Sequence, residues 1–139
     1  MMGLRYALPF MLALLGGCPT VSLGDSPEDV GLCNPDKGEA YFEANVWPMY
    51  LNDPQGGGAR QCTKGGCHDE NGVSAMRYKT NPIDFQNNYK VAQIYLNCDS
   101  PQTSLLLEKP LMLTTHSGGQ LFPSMSDPDV QVFLDWFTP

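Results

Sequence analysis

The chain has 139 residues, of which 17% are charged, and its 14 glycines and 12 prolines suit one small, loop-rich domain. Its formal net charge of −7 would repel the phosphates of DNA and RNA, so we expect no nucleic-acid partner. The sequence contains neither a G-x-S-x-G motif nor a paired-acid signature, so a hydrolase is not indicated.

The N-terminus has the pattern of an export signal. One cation, Arg5, precedes an apolar run at 6–15, which is shorter than the ~20 residues that a membrane-spanning helix needs. The letters LGGC follow at 15–18 and resemble the lipobox of bacterial lipoproteins, in which the cysteine receives a diacylglyceryl group. We therefore expect a lipoprotein signal peptide at 1–17 and lipidation of Cys18. The alternative is a plain signal peptide in which Cys18 is incidental.

Residues 18–37 carry Pro, Gly, Ser and Asp without a helical period, which is typical of a flexible tether. The folded domain should then cover 38–139. These features predict a domain that is lipid-anchored in a bacterial cell envelope, in the periplasm or at the cell surface.

The chain has five cysteines, and an odd number in an exported protein needs an explanation. Lipidation of Cys18 accounts for one and leaves Cys33, Cys62, Cys67 and Cys98. Free thiols outside the cytoplasm tend to oxidise. We therefore expect two disulfides, or one disulfide and two cysteines in another covalent bond.

The first helix is predicted at 38–53, with one apolar face and a proline inside it. Pro48 should kink this helix or start a second segment. The face is formed by four residues at i, i+4, i+7 and i+8: Phe42, Val46, Met49 and Tyr50.

A second helix is predicted at 87–97, with Asn87 or Asn88 as its N-cap. Its apolar face would be formed by Val91, Ile94 and Tyr95. A third helix should be capped by Ser100, begin at Pro101 and end at Pro110.

The last helix is predicted to have Ser126 or Asp127 as its cap and Pro128 in its first turn. Its apolar face would consist of Val130, Phe133, Leu134 and Phe137. No stretch shows sustained strand alternation, so the expected fold is all-α with long irregular loops.

Cys62 and Cys67 are followed directly by His68, giving a C-x4-C-H motif. Covalent c-type haem is normally attached at C-x-x-C-H, where two thioethers hold the porphyrin and the histidine binds iron. The two extra residues require a bulging loop, for which Gly65 and Gly66 supply backbone freedom. We expect one covalent haem c, with Cys62 and Cys67 as attachment points and His68 as proximal ligand.

Two other interpretations of this motif remain open. Cys62 and Cys67 could form a disulfide beside a surface histidine, which also leaves an even number of cysteines. Zinc could bind Cys62, Cys67, His68 and His116, because the cysteine spacing lies within the zinc-finger range. Against zinc, the adjacent Cys67 and His68 would have difficulty reaching one tetrahedral ion together.

A c-type haem normally takes a second axial ligand from His or Met. His116 lies in a loop where Gly118 and Gly119 allow close approach to a flat ring. Met125 and Met112 are the alternatives, although Met112 stands between two leucines and is expected in the core.

Three segments together resemble the cytochrome c-like domains of bacterial exported proteins and lipoproteins, including planctomycete-type cytochrome domains. YFEANVWPMY is similar to the first helix of that family, and CTKGGCHDENG is similar to its haem motif. SLLLEKPLMLTTHSGGQLF followed by VQVFLDWF resembles the distal loop and final helix. The resemblance covers most of 40–137 and keeps the segment order.

The resemblance implies a fold in which the first and last helices cross and the haem lies between two loops. The absence of a clear Met-Pro distal motif favours His116 as distal ligand. Cys33 and Cys98 would be the remaining pair, and their disulfide would clamp the tether to the end of the second helix. The packing residues would be Phe42, Val46 and Tyr50 against Phe133, Leu134 and Phe137.

The expected function is one-electron transfer to and from a redox partner protein in the cell envelope. The protein would be an electron carrier rather than a catalyst, held at the membrane through Cys18. The alternative is a haem-free, disulfide-stapled lipoprotein that acts as a binding or structural module.

Overall fold

The computed structural model describes residues 31–52 and 61–139. The predicted signal peptide, Cys18 and the predicted tether up to residue 30 lie outside the described residues. Within these two ranges the chain is helical and contains no β-strand, only two isolated bridges. The prediction of an all-α domain with long connections is therefore confirmed. No helix in the described ranges is long and apolar enough to cross a bilayer.

The helices occur in the predicted order but are shorter than predicted. Helix α1 passes directly into a π-helix, and a 3-10 turn precedes α3. The bounds are Gly38–Tyr41 for α1, Phe42–Leu51 for the π-helix, Phe85–Gln93 for α2, Pro101–Thr103 for the 3-10 turn, Leu105–Glu108 for α3 and Pro128–Asp135 for α4.

Pro48 lies inside the π-helix, which continues past it to Leu51, so it does not start a second segment. In an α-helix a proline ring clashes with the carbonyl four residues back. In the wider π register the N–H groups bond five residues back, which relieves that clash. The amide of Asn52, for example, donates to the carbonyl of Trp47 at 2.8 Å.

The wider register also changes which side chains face the core. Met49, predicted on the apolar face at i+7, is 42% exposed, and Trp47 is buried in its place. Side chains one turn apart in a π-helix are separated by four or five residues rather than three or four. The buried set is Phe42, Val46, Trp47, Tyr50 and Leu51.

Helix α2 begins two residues earlier than predicted, because Asp84 is its N-cap and accepts a hydrogen bond from the amide of Asn87 at 3.0 Å. Its buried face differs as well, since Ile94 is 62% exposed. Asn88 is fully buried and bonds both the amide of Lys79, at 2.7 Å, and its carbonyl, at 2.8 Å. A polar side chain whose hydrogen bonds are satisfied therefore faces the core. Of the predicted apolar face, Val91 and Tyr95 pack partly buried against the core, and only Ile94 was placed wrongly.

The predicted third helix is split at Ser104, whose backbone is extended, with φ −63° and ψ 131°. Helix α4 agrees with its prediction: Asp127 is the N-cap, and Pro128 begins the helix. Val130 and Phe133 are buried as predicted.

Helix α4 packs on the π-helix, as the resemblance implied, and aromatic rings form most of the contact. Tyr50 stacks on Phe133 with ring centroids 5.1 Å apart, and Phe42 lies 5.5 Å from Trp136. Trp136 is fully buried, and its indole N–H donates to the carbonyl of Gly38 at 2.9 Å. The end of the chain is thereby fixed to the start of α1.

Two long loops extend from this helical pair. The first starts beside the π-helix, where the amide of Thr63 donates to the carbonyl of Leu51 at 3.3 Å. The second is closed at its base, where the carbonyl of Pro110 accepts from the amides of Leu121 and Phe122. Phe122 stacks on Tyr50 at 4.8 Å, so both loops start and end against the same helix.

Candidate functional site

The first loop carries Cys62, Cys67 and His68 and is shaped by its own backbone. The amide of Cys67 donates to the carbonyl of Lys64 at 2.9 Å, and that of His68 to the carbonyl of Cys62 at 3.2 Å. Gly66 has φ +86°, a conformation that favours glycine. The freedom expected of the glycine pair is therefore used at Gly66.

Gly72 closes this loop, and the sequence analysis did not identify it. Its amide donates to the carbonyl of Asp69 at 3.0 Å. A Cβ at this position would lie 2.1 Å from the carbonyl oxygen of Cys67, which is far inside contact distance. Only glycine lets the chain fold back against Cys67 here. No sequence pattern marks such a residue, because the need for it arises only in the folded loop.

The ring of His68 is oriented by a backbone carbonyl. Its Nδ1 lies 3.0 Å from the carbonyl oxygen of Met76, and a carbonyl oxygen can only accept. Nδ1 therefore carries the proton, and Nε2 keeps its lone pair. The amide of Tyr78 donates to the carbonyl of His68 at 2.8 Å and fixes the backbone as well. Metal-binding histidines characteristically donate their other ring N–H in this way.

His116 in the second loop has the same arrangement. Its Nδ1 lies 2.9 Å from the carbonyl oxygen of Gly119, so Nδ1 donates and Nε2 is again left as an acceptor. Lys109 Nζ donates to the carbonyl of Thr115 at 2.7 Å and braces the loop before the histidine. Both histidines of the chain thus have the tautomer that a metal ligand bound through Nε2 requires.

The fold brings these two rings together from distant parts of the chain. The centroids of His68 and His116 are 6.2 Å apart, and their planes differ by 21°. A metal–imidazole bond is about 2 Å long, and the distance from nitrogen to ring centre adds roughly 1 Å, so two imidazoles on opposite sides of one ion have centroids about 6 Å apart. The observed separation fits that requirement.

Neither Cys62 nor Cys67 takes part in a disulfide. Cys62 is buried and Cys67 is exposed, and the thiol of Cys62 lies 3.8 Å from the carbonyl oxygen of Tyr50. Burial raises the pKa of the Cys62 thiol to about 12. The disulfide interpretation of this motif is therefore not the arrangement found, and both sulfurs are present as thiols beside the histidine.

The structure does not assemble the four residues of the zinc interpretation into a metal site. In the described part of the chain, no three His, Cys, Asp or Glu side chains converge on one point where an ion could bind.

Of the three candidate distal ligands, His116 is the one that the structure places against His68. Met125 is half-buried against the core. Met112 is 46% exposed and has φ +60°, so the expectation that it lies in the core is wrong. It follows the short helix α3 at the point where the chain turns out of the core towards the second loop.

Cys33 and Cys98 form a disulfide with a Cα–Cα distance of 5.3 Å. It joins the start of the described chain to the segment that follows α2. The remaining two cysteines of the described chain are those of the histidine motif.

Comparison of the chain with protein-family models, with curated proteins and with solved structures finds no significant match.

Proposed function

We propose that this chain is a membrane-tethered c-type cytochrome with a cytochrome c-like fold, which carries single electrons in the bacterial cell envelope. The observation that carries the proposal is the pair of near-parallel imidazoles, His68 and His116, with ring centroids 6.2 Å apart. The two free thiols of the same loop, Cys62 and Cys67, are a donor set suited to haem c and support it.

Each residue has a defined part in this proposal. Cys62 and Cys67 hold the porphyrin through thioethers, His68 is the proximal ligand and His116 is the distal ligand. The carbonyls of Met76 and Gly119 hold the Nδ1 N–H groups of the two rings, so the Nε2 atoms would be the ones available to bind the iron.

When bound, haem c supplies an iron that changes between the ferrous and ferric states. Two histidine ligands usually hold the potential below that of a His/Met pair. His68 and His116 would both be committed to the iron, which suits a carrier rather than a catalyst. The net charge of −7 favours a redox partner with a basic surface. In this proposal Cys18 carries the lipid anchor.

The test is to express the chain with a signal for export, with and without cytochrome c maturation proteins. Matured protein should show sharp reduced bands, keep its haem on a denaturing gel and gain the mass of one haem. A Cys62→Ala/Cys67→Ala variant should lose the covalent haem, and His116→Ala should lose the low-spin spectrum. Ser117→Ala, an exposed neighbour, is the control and should match the wild type.

A colourless protein from cells with active maturation would contradict the proposal. The chain would then be a haem-free lipoprotein braced by the Cys33–Cys98 disulfide, a binding or structural module.

A further inference from the structure

The ring of His116 is held by the turn to which it belongs. Its Nδ1 donates to the carbonyl of Gly119 at 2.9 Å, and the amide of Gly119 donates back to the carbonyl of His116 at 3.0 Å. Gly119 has φ +77°, which bends the chain sharply enough for both bonds. A short turn therefore fixes the direction of the imidazole.

Gly118 lies beneath that ring. A Cβ at position 118 would be 2.9 Å from Cε1 of His116, 3.2 Å from Nε2 and 3.5 Å from Nδ1. The imidazole thus occupies the space that any side chain at 118 would need. The φ of Gly118 lies outside the left-handed region, so the backbone would accept alanine and the ring would be the group that moves.

The two histidines are held in different ways. The His68 ring is bonded to Met76, on the far side of its loop. The critical glycine of that loop, Gly72, meets backbone atoms rather than the imidazole. At His116, by contrast, the glycine meets the ligand ring itself. A side chain at 118 should therefore affect the distal ligand selectively.

We propose that Gly118 is a positioning residue for the distal ligand: the absence of a side chain there keeps His116 in line with the iron, and this inference rests on the proposed function. An added methyl group would turn the ring away and leave the sixth position open to a small neutral ligand such as carbon monoxide. The same loop would otherwise keep its backbone and its bonds to Pro110.

The experiment compares matured, full-length wild type with Gly118→Ala, His116→Ala and Ser117→Ala. Wild type and Ser117→Ala should be low-spin and bind carbon monoxide weakly. Gly118→Ala should shift towards the high-spin spectrum of His116→Ala. Its affinity for carbon monoxide should rise by on the order of tenfold, because an imidazole forced off its preferred rotamer binds the iron about that much more weakly. Added imidazole should restore the low-spin spectrum of Gly118→Ala.

The outcomes separate the two claims. A wild type without haem overturns the proposed function and this inference together. A low-spin Gly118→Ala with unchanged carbon monoxide binding overturns this inference alone. A high-spin Gly118→Ala that imidazole does not restore also overturns it, because the defect would then lie in the fold rather than in the distal ligand.

Discussion

At the scale of single residues, Cys62 and Cys67 belong to one short loop but have opposite surroundings. Cys62 is 7% exposed and its pKa is raised to about 12, first of all by burial. Cys67 is exposed. Because the thiolate is the reactive form, the two thiols of the haem-free chain should differ strongly in reactivity.

We predict that iodoacetamide at pH 8 modifies Cys67 of the folded, haem-free chain at least tenfold faster than Cys62, since Cys62 is both covered and held as a thiol. Peptide mass spectrometry over time measures the two rates. In urea both cysteines should react alike, which serves as the control. Equal rates in the folded chain would contradict the burial of Cys62.

Two fully buried tyrosines should make the stability of the protein depend on pH in the alkaline range. Burial raises the pKa of Tyr50 and of Tyr78 well above the usual 10. The phenolate is therefore favoured in the unfolded chain. The free energy of unfolding should keep its full value below pH 10 and fall above it, by up to about 1.4 kcal/mol per pH unit for each tyrosine. Urea titrations between pH 7 and pH 11 test this slope.

Phenylalanine variants separate the two tyrosines. Tyr50→Phe should cost about 1 kcal/mol at pH 7, because the carbonyl of Leu106 loses the hydrogen bond that the hydroxyl donates at 2.8 Å. Tyr78→Phe should cost less, since the partner of its hydroxyl among the described residues is the sulfur of Met76, a weak acceptor. Each variant should reduce the alkaline slope, and an unchanged slope in the double variant would contradict the assignment.

At the scale of elements, the cap of α4 gives a direct comparison of two neighbouring residues. The carboxylate of Asp127 accepts from the amide of Asp129 at 3.1 Å, whereas the hydroxyl of Ser126 bonds that of Ser124. Asp127→Ala should therefore destabilise the protein by about 1–2 kcal/mol, and Ser126→Ala should have little effect. Thermal unfolding of both variants measures the difference, and equal losses would mean that the cap is misassigned.

The loop of the histidine motif makes an equally specific prediction. Gly72→Ala places a methyl group 2.1 Å from the Cys67 carbonyl oxygen, so the loop must open, with a loss of about 2 kcal/mol or more. Gly65→Ala is the matched control, because its Cβ would meet only a side-chain oxygen of Asp69, at 3.9 Å. Unfolding of the haem-free variants tests this without haem. Similar stability of the two variants would contradict the role of Gly72.

Helix α4 could be predicted from sequence because its cap, its first-turn proline and its apolar period all agree. The first helix could be located, but its face could not. The pattern at Phe42, Val46 and Met49 was interpreted with the α-helical period, and nothing local shows that the chain uses five-residue hydrogen bonds. In α2 the buried Asn88 has no apolar signal, since its place in the core depends on its bonds to Lys79.

The residues of the candidate site could be chosen from the sequence, because thiols and imidazoles are few and their spacing is informative, but their chemical roles stay a prediction. The structure adds the contact of His68 with His116. Gly118 and Gly119 were noted in the sequence for the freedom of their backbone, but their contacts with the His116 ring were not predicted. Gly72 and Met76 were not visible, because one acts through the space it leaves empty and the other through a backbone carbonyl that every residue type possesses.

At the scale of the whole molecule, the disulfide joins cysteines separated by 65 residues in sequence. A Cys33→Ala/Cys98→Ala variant should lose up to about 4 kcal/mol of stability, through the larger conformational freedom of its unfolded chain. Urea unfolding measures the loss, and reduction of the wild type should reproduce it. The visible spectrum of matured protein should stay unchanged, and an altered spectrum would show that the bridge also supports the histidine site.

The bridge has a mechanical consequence too. A force applied to the chain from its N-terminal side reaches Cys33 before it reaches α1. The disulfide then transmits this force to Cys98. The hydrogen bond from the Trp136 indole to the carbonyl of Gly38 lies beyond that point along the backbone and is shielded from the load. Under tension applied from this side, the domain should therefore not begin to unfold at its first helix.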